Sequence, residues 1–432
     1  MTANRREFLK GSFELAGLIS LSPAVPAFLW RTARAQAAFG TAAASDQTVL
    51  IVLQLTGGND GLNTVIPYEN DAYAKARPTI RFTRREVHRI GRTGLGFHPR
   101  MKAFLRLLDE QMLTVVQGVG YPNSKREHAA AMRDWQTASP QNDETQTGWL
   151  GRAADQIASE RIGEVPATFV SNIAFPMALR AKDAIVPAIR SLKDWTFRPL
   201  PGQPANSQRD FLEHVTRATS EPLGDAGKAA DNPLLELVRR QTLSACTVGR
   251  RLEAVAERRP RANVVYPNFG LAERLRTIAD LIRADLGTRI FFTELGGGDF
   301  GGFDNHANQR GNHGALLHQL AESVAAFLDD LKRDRLADRV VLMTFSEFGR
   351  TVAENGRRGT DHGAAAPVFL AGAALRGGLV GDHPSLTDLD NNALRHHTDF
   401  RQVYATMLDR WLGIDSQTVL GRRFPSLDLF RS

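Results

Sequence analysis

The sequence predicts an α/β fold, in which a largely parallel central sheet carries helices on both faces. Two observations support this prediction. Apolar, β-branched runs recur along the chain, and segments with apolar residues at three- and four-residue spacing lie between them. The chain has 432 residues, of which 42% are hydrophobic, so it can bury one large core or two smaller ones.

The first predicted strand is Thr48 to Leu55, a continuous β-branched run typical of a central strand that is buried on both faces. Five later runs have the same character: LTVVQGV near Leu113, ATFVSN near Ala167, RIFFTEL near Arg289, RVVLMTF near Arg339 and APVFLAG near Ala366. Helices are predicted at Pro99 to Gln111 and at Gly314 to Arg333.

Residues 1–37 have the pattern of a twin-arginine export signal. NRREFLK, from Asn4 to Lys10, precedes a mildly apolar stretch and an Ala-Gln-Ala cleavage site at residues 35–37. The alternative is an amphipathic helix or membrane anchor, although Glu14, Pro23 and Pro26 oppose a stable spanning helix. We therefore expect passage through the twin-arginine translocase to the periplasm or the extracellular space. Residues 38–432 are predicted to form one domain, with a surface insertion near 199–227 that is rich in Pro, Gly, Ser and charge.

Charge and cysteine content exclude several classes of protein. The formal charge is +7, of which the leader carries +3, and no basic face with interleaved aromatic residues indicates nucleic-acid binding. Beyond the leader no apolar segment is long enough to span a membrane. The single cysteine, Cys246, cannot form an intrachain disulfide and fits a core position better than a nucleophile.

Polar loops follow several predicted strands, at the edge where an open parallel sheet binds its ligands. A further polar loop, ENGRRGTDHGAAAP, comes just before the last apolar run. Clustered carboxylates repel one another unless a cation compensates, so the simplest interpretation is a site for one or two divalent ions, zinc or manganese. Glycines in LGGGDFGGFDNHANQ let the loop fold back over its strand end. The side chains delivered to this edge are Asn59, Asp60, Asp299, Asp304, His306, Ser346, Glu347, Arg350, Asp361 and His362.

Nine motifs distributed from Thr56 to Leu408 resemble an exported family known as domain of unknown function 1501. They are TGGNDGLNTVIPY, FHPRM, VVQGVGYPNSKREH, DWQTAS, TGWLGR, GGFDNHANQ, SEFGRT, GTDHG and HTDFRQVYATML. The family is grouped with the alkaline phosphatase and sulfatase superfamily. The resemblance implies an alkaline phosphatase-like fold with divalent metals at the carboxyl edge of the sheet. The ligands it implies are Asp60, Asp304, His306, Asp361, His362 and, by the loosest match, Asp399.

The resemblance also implies a nucleophile in the loop GVGYPNSKREH, where Ser124, Arg126 and His128 are the catalytic candidates. Arg126 would grip a phosphate or sulfate. Ser124 has an alternative role as a helix N-cap, with Glu127 completing a capping box. A formylglycine-type sulfatase fits less well, since no cysteine lies in this loop.

The predicted function is that of an exported metal-dependent hydrolase acting on a small anionic phosphate or sulfate ester. Asn59, Glu347 and Arg350 are the predicted substrate-binding residues. Two alternatives remain for these side chains: a structural Glu347 and Arg350 ion pair, and an Asx-turn at Asn59. A different class of function, an inactive periplasmic binding or assembly protein on the same fold, also remains open.

Overall fold

A computed structural model describes residues 47–160, 165–190, 264–297 and 302–431. The predicted export signal, the predicted insertion near 199–227, Cys246 and Asp299 lie outside these residues.

Within the described part of the chain, nine strands form the central sheet. They are β1 (Val49–Leu55), β5 (Leu113–Gly120), β6 (Ala167–Val170), β7 (Ala188–Ile189), β8 (Ile290–Leu295), β9 (Val340–Phe345), β10 (Ala366–Ala371), β11 (Gly378–Val380) and β14 (Thr398–Asp399). Their order in the sheet is β11-β5-β10-β9-β1-β8-β6-β7, and β14 pairs with the end of β5. A small three-stranded sheet contains β2 (Val65–Ile66), β3 (His88–Arg89) and β4 (Gly96–Phe97). A second, two-stranded sheet contains β12 (Leu389–Asp390) and β13 (Ala393–Leu394).

Helices cover both faces of this sheet. They are α1 (Asp71–Ala76), α2 (Lys102–Asp109), α3 (His128–Thr137), α4 (Trp149–Glu160), α5 (Gly270–Arg283), α6 (Gln309–Arg333), α7 (Phe400–Thr406) and α8 (Ser416–Leu420). Short 3-10 turns lie at Gly61–Asn63, Met177–Leu179 and Ala337–Arg339, and a π-helical turn at Met407–Leu412 follows α7.

One strand of the central sheet runs against the others. β1 is parallel to β8 and β9, whereas β10 is antiparallel to both β9 and β5. The start of β10 therefore lies at the edge where β5, β8 and β9 end. The loop before β10 and the loops after those three strands meet at this edge.

The sheet separates two hydrophobic cores. Val49, Ile51 and Leu53 of β1 pack with α2, α5 and α6, while Leu50 and Val52 pack with α4 and α7 on the other face. All seven residues of β1 are buried, which confirms the expectation of a strand covered on both sides. The expected mixed, mostly parallel α/β architecture is likewise confirmed.

The helix boundaries differ from the predicted ones. The helix predicted from Gly314 begins at Gln309, because the backbone N–H groups of Asn308 and Gln309 donate to the carbonyls of Arg357 and Arg358. A distant loop thus satisfies the N-terminal donors that a helix leaves open. Among the described helices, none has the length and apolar composition to cross a bilayer.

Candidate metal centre

Three histidines and one aspartate converge at the carboxyl edge of the sheet. Asp304 Oδ1 lies 2.9 Å from His306 Nε2 and 3.2 Å from His362 Nε2, and these two nitrogens are 3.1 Å apart. His128 Nε2 lies 3.4 Å from Asp304 Oδ2. The four side chains are between 23% and 38% exposed, so a ligand can reach them from solvent.

The cluster joins three separate parts of the chain. His128 opens α3 after β5, Asp304 and His306 lie in the loop after β8, and His362 precedes the antiparallel β10. Phe348, which follows β9, packs against two of the rings, with centroids 4.6 Å from His362 and 5.0 Å from His128. The described residues therefore form a partly open site with one aromatic wall.

Each histidine of the cluster is held through its Nδ1 atom. His128 Nδ1 is 3.0 Å from Glu347 Oε1, and His306 Nδ1 is 3.0 Å from Asp361 Oδ1. His362 Nδ1 is 2.8 Å from the backbone carbonyl of Arg126. A backbone carbonyl or an ionised carboxylate only accepts hydrogen bonds, so each Nδ1 carries a proton and donates. The Nε2 lone pairs are thereby left for the centre of the cluster.

Asp304 carries the negative charge of the cluster. Its Oδ1 accepts a 2.6 Å hydrogen bond from Arg350 Nη2. Burial alone would raise the pKa of Asp304, but the hydrogen bond and charge of Arg350, helped by His306 and His128, lower it. Asp304 is therefore an ionised ligand candidate.

Glu347 supports the cluster from below. It is 1% exposed, and its Oε1 accepts hydrogen bonds from the Gly57 backbone N–H and from His128, while its Oε2 accepts one from Ser346. The hydrogen bond to Glu347 is the main reason why the pKa of His128 is raised. A buried carboxylate thus orients one histidine and ties it to the loop after β1.

The donor set fits a divalent cation. His128, Asp304 and His362 each place a ligand atom within 4.8 Å of the other two, and His306 adds a fourth atom beside them. Imidazole nitrogens held by outer acceptors, with one carboxylate, are typical of zinc and manganese sites. Among the residues that the structure describes, no second group of this kind comes together, so the donors account for one ion.

Comparison with known proteins places the chain in a family. Residues 114–425 match the family described as Protein of unknown function (DUF1501). The chain belongs to the DUF1501 family. This confirms the family resemblance found in the sequence motifs. No curated protein matches the sequence.

Several solved structures resemble this DUF1501 protein at low sequence identity. A protein in the alkaline phosphatase superfamily from Vibrio parahaemolyticus is 12% identical with a TM-score of 0.38, over 88% of this chain and 69% of that one. The lipoteichoic acid synthase LtaP from Listeria monocytogenes is 12% identical with a TM-score of 0.38, over 95% and 81%. The C-terminal periplasmic domain of EcEptC from Escherichia coli, in complex with Zn, is 10% identical with a TM-score of 0.36, over 76% and 74%.

Of the six expected ligands, the structure brings Asp304, His306 and His362 into the cluster and gives the other three different partners. Both carboxylate oxygens of Asp60 accept hydrogen bonds from Arg77, at 2.6 and 2.9 Å, and Gln309 donates to Oδ2. Asp60 is 2% exposed, so in this DUF1501 protein its carboxylate lies in a buried ion pair.

The other two expected ligands also have identifiable roles. Asp361 reaches the cluster only through His306, and Asn355 Nδ2 donates to the same Oδ1 at 3.1 Å. Asp399 caps α7 in a capping box and accepts two further hydrogen bonds, at 2.9 and 2.6 Å, from the side chain of Arg401. Its carboxylate is therefore taken up by its own helix terminus.

The predicted nucleophile loop is arranged differently from either expectation. Glu127 is the N-cap of α3 and accepts hydrogen bonds from the N–H groups of Ala129 and Ala130, so Ser124 is not the cap. Arg126 does not point its charge at the cluster, because its Nη2 atom donates to the carboxylate of Asp390 at 2.9 Å. His128, expected as a catalytic group, is the member of this loop that enters the cluster.

The predicted substrate-binding residues are all buried. Arg350 is 2% exposed and donates to the carbonyls of Gly57, Gly58, Phe303 and Thr360 as well as to Asp304. Asn59 is 1% exposed and its Oδ1 lies 2.9 Å from His313 Nε2. Arg350 therefore holds three loops together, and Asn59 belongs to the polar interior beneath the site.

Two glycines allow the Asp304 loop to approach the loop after β1. At Gly57, which has a φ of +114°, a Cβ atom would lie 2.5 Å from the backbone nitrogen of Asp304. At Gly302, with a φ of +63°, it would lie 2.6 Å from the carbonyl oxygen of Thr56. The close contact that positions Asp304 thus requires glycine at both positions.

Sequence reasoning missed Arg77, Gln309, Asn355 and Phe348. Phe348, Gln309 and Asn355 lie in the motifs SEFGRT, GGFDNHANQ and ENGRRGTDHGAAAP, so their proximity to the site was open to inference. Arg77 lies outside these motifs, and no spacing rule identifies Asp60 as its partner.

Proposed function

We propose that this protein is an exported metal-dependent hydrolase of phosphate or sulfate esters. The observation that carries the proposal is the convergence of three histidine Nε2 atoms and the Asp304 carboxylate, with each Nδ1 held by an acceptor. Histidine tautomers fixed in this way are the arrangement by which proteins present imidazole to a cation.

The charge of the donor set supports an anionic ester as substrate. Three neutral imidazoles and one carboxylate would leave a divalent cation with a net charge of about +1. When bound, zinc or manganese would act as a Lewis acid toward an ester oxygen and would activate the attacking oxygen.

The protein's own residues have complementary roles in this proposal. Arg350 keeps Asp304 ionised and in place, and Glu347 holds the proton of His128 on Nδ1. Phe348 covers one side of the histidine rings and restricts water there. The exposed side of the cluster would admit the ester group.

Metal analysis combined with turnover tests this function. We expect about one divalent cation per chain by elemental analysis and hydrolysis of a chromogenic phosphate or sulfate ester. His362→Ala should lose both the cation and turnover. His318→Ala is the matched control, since His318 lies on α6 against Phe269 and outside the cluster. Stoichiometric cation without turnover of either ester would contradict the hydrolase.

A second function is favoured by the arginines. Arg126 and Arg350 are both engaged by groups of the protein, which leaves the described site without a free guanidinium for a sulfate or phosphate group. An inactive periplasmic binding or assembly protein, using the cation as a structural element, would fit this arrangement. It predicts full cation occupancy with no turnover, and loss of stability when the cation is removed.

Export can be tested separately from chemistry. Replacing Arg5 and Arg6 together with lysine should retain the protein in the cytoplasm if residues 1–37 are a twin-arginine signal. Unchanged secretion of this variant would contradict the proposed route.

A further inference from the structure

One surface segment in the described part of the chain is strongly basic. Residues 78–100 contain six arginines, no lysine and one glutamate, a net charge of +5. Such a concentration of one charge sign produces a local positive field.

The arginines of this segment are open to solvent. Arg84 has a side-chain exposure of 65% and pairs with the exposed Glu69 at 3.6 Å. Arg85, Arg89 and Arg92 are also exposed. Among the described residues, no carboxylate pairs with Arg85, Arg89 or Arg92. The segment is held in place by β3 and β4, and His88 Nε2 lies 2.9 Å from the carbonyl of Pro99. The guanidinium groups of Arg85, Arg89 and Arg92 are therefore available on a fixed support, and the pair of Arg84 is exposed and hence weak.

Arg310 connects the segment with α6. Its guanidinium lies 4.1 Å from the ring centroid of Phe82, pairs with Glu86 at 2.8 Å and donates to the carbonyl of Arg81 at 3.3 Å. Arg310 also follows Gln309, whose backbone N–H donates to the carbonyl of Arg358. The basic surface thus continues from the segment to the loop that contains Arg357 and Arg358.

That loop in turn contacts the metal centre. Asn355 Oδ1 accepts a 3.0 Å hydrogen bond from the Arg357 backbone N–H, and its Nδ2 donates to Asp361 Oδ1, which holds His306. Arg357 and Arg358 are both exposed. A series of direct contacts therefore links the cluster to the arginines of residues 78–100.

We define the arginine track as Arg84, Arg85, Arg89, Arg310, Arg357 and Arg358. We infer that this track binds a linear polyanion carrying repeated sulfate or phosphate groups and presents it to the metal centre. The inference rests on the proposed function for the reaction, whereas binding itself needs no turnover. The planar guanidinium donates in pairs to phosphate and sulfate oxygens, which suits arginine better than lysine to this role.

The absence of exposed apolar groups near the track favours a soluble polymer over a membrane. Among the described residues, the exposed large hydrophobic side chains are Ile185 and Val265, and neither lies in the track. Nothing there would insert between lipid chains, and no exposed aromatic ring would stack on a nucleobase. The track therefore offers charge contacts alone.

The test measures binding of the full-length protein to heparin, a sulfated polymer, and to inorganic polyphosphate by calorimetry at several salt concentrations. The triple variant Arg84→Gln, Arg85→Gln, Arg89→Gln should bind roughly tenfold more weakly or worse, with a shallower salt dependence. The matched control Arg335→Gln, Arg422→Gln, Arg423→Gln removes the same charge from other exposed arginines and should change affinity less than about twofold.

Each outcome decides the inference. If heparin binds more tightly than polyphosphate, the natural ligand is sulfated; if polyphosphate binds more tightly, it is phosphorylated. Loss of affinity in the Arg84, Arg85 and Arg89 variant but not in the control variant supports the track. Equal losses in both triple variants, or no binding of either polymer by the wild type, overturn it. Tighter binding to anionic vesicles or duplex DNA through the same arginines also overturns it. His362→Ala should bind polymer normally even if turnover is lost, which separates this inference from the hydrolase proposal.

Discussion

Asp60 and Arg77 form a buried, two-point ion pair directly beneath the candidate site. Arg77 is 0% exposed and also donates to the carbonyls of Thr351 and Val352, so it joins the loop after β1 to the segment after β9. Burial alone would raise the pKa of Asp60, but the charge and hydrogen bonds of Arg77 hold it below its usual value.

Arg77→Met should destabilise the protein strongly, because it leaves the Asp60 carboxylate buried without its partner. Removing one partner of a buried pair costs about 3–5 kcal/mol. The free energy of unfolding in urea measures the effect. Arg84→Met, at a side chain that is 65% exposed, is the control and should change stability by about 0.5 kcal/mol at most. If the two substitutions changed the free energy of unfolding equally, the buried pair would contribute no more to stability than an exposed arginine does.

Asp361→Ala should weaken cation binding without abolishing it, since Asp361 acts through His306. Loss of such an outer partner typically costs about 10- to 100-fold in metal affinity. Asp361 is 57% exposed, so the melting temperature should change little. A competitive zinc titration measures the affinity. His306→Ala is the comparison, and a loss in Asp361→Ala as complete as in His306→Ala would make Asp361 a direct ligand, as the family resemblance implies.

Gly302→Val should weaken metal binding before it unfolds the domain. The new Cβ would meet the Thr56 carbonyl at 2.6 Å and the Gly296 carbonyl at 2.8 Å. If movement of the Asp304 loop relieves about 1–3 kcal/mol of strain, the metal affinity should fall by roughly 5- to 150-fold. Gly413→Val is the control, because Gly413 has a similar φ of +64° with no neighbouring atom within 4 Å. It should lower stability and leave zinc affinity unchanged; unchanged affinity in Gly302→Val would contradict the role given to this glycine.

Stability should fall in acid because two buried histidines are neutral in the folded protein. Burial lowers the pKa of His98 to about 3 and that of His313 to about 4, from the usual 6.5. Below pH 6.5 the unfolded chain binds protons that the folded chain does not, so stability present above that pH is lost as the pH falls toward 4. Each histidine contributes a slope of up to about 1.4 kcal/mol per pH unit.

The pH effect is measured as the free energy of unfolding between pH 4 and 7. A chelator is present, so that pH-dependent release of a bound cation does not contribute. His313→Gln should remove the contribution of His313 to the slope of unfolding free energy against pH, since glutamine keeps a polar contact with Asn59 but does not titrate. His318→Gln should retain the full slope. An unchanged slope in His313→Gln would show that His313 is not the titrating group.

The strands were predictable because β-branched apolar runs have few alternatives in a chain of this length. The direction of β10 was not, since the run APVFLAG reads the same for a parallel and an antiparallel strand. The expectation that Asp361 and His362 join the carboxyl edge depends on that reversal, which only backbone pairing with β5 and β9 reveals.

Residue types in the edge loops indicated a cation, but not which carboxylates would face it. Asp60 and Asp304 both follow long buried strands, and both meet an arginine. Arg77 engages both oxygens of Asp60 in the interior, whereas Arg350 takes one oxygen of Asp304 and leaves the group partly exposed to the histidines. That distinction depends on loop geometry over long sequence separations.

The reversed strand also affects the order in which the site can be assembled during synthesis. His128 emerges early from the ribosome, but His362 reaches it only when β10 inserts between β5 and β9, both of which precede it in the chain. A nascent polypeptide that stops before Ala371 would carry several imidazoles without a binding geometry. Tight zinc binding would therefore indicate that β10 has inserted between β5 and β9.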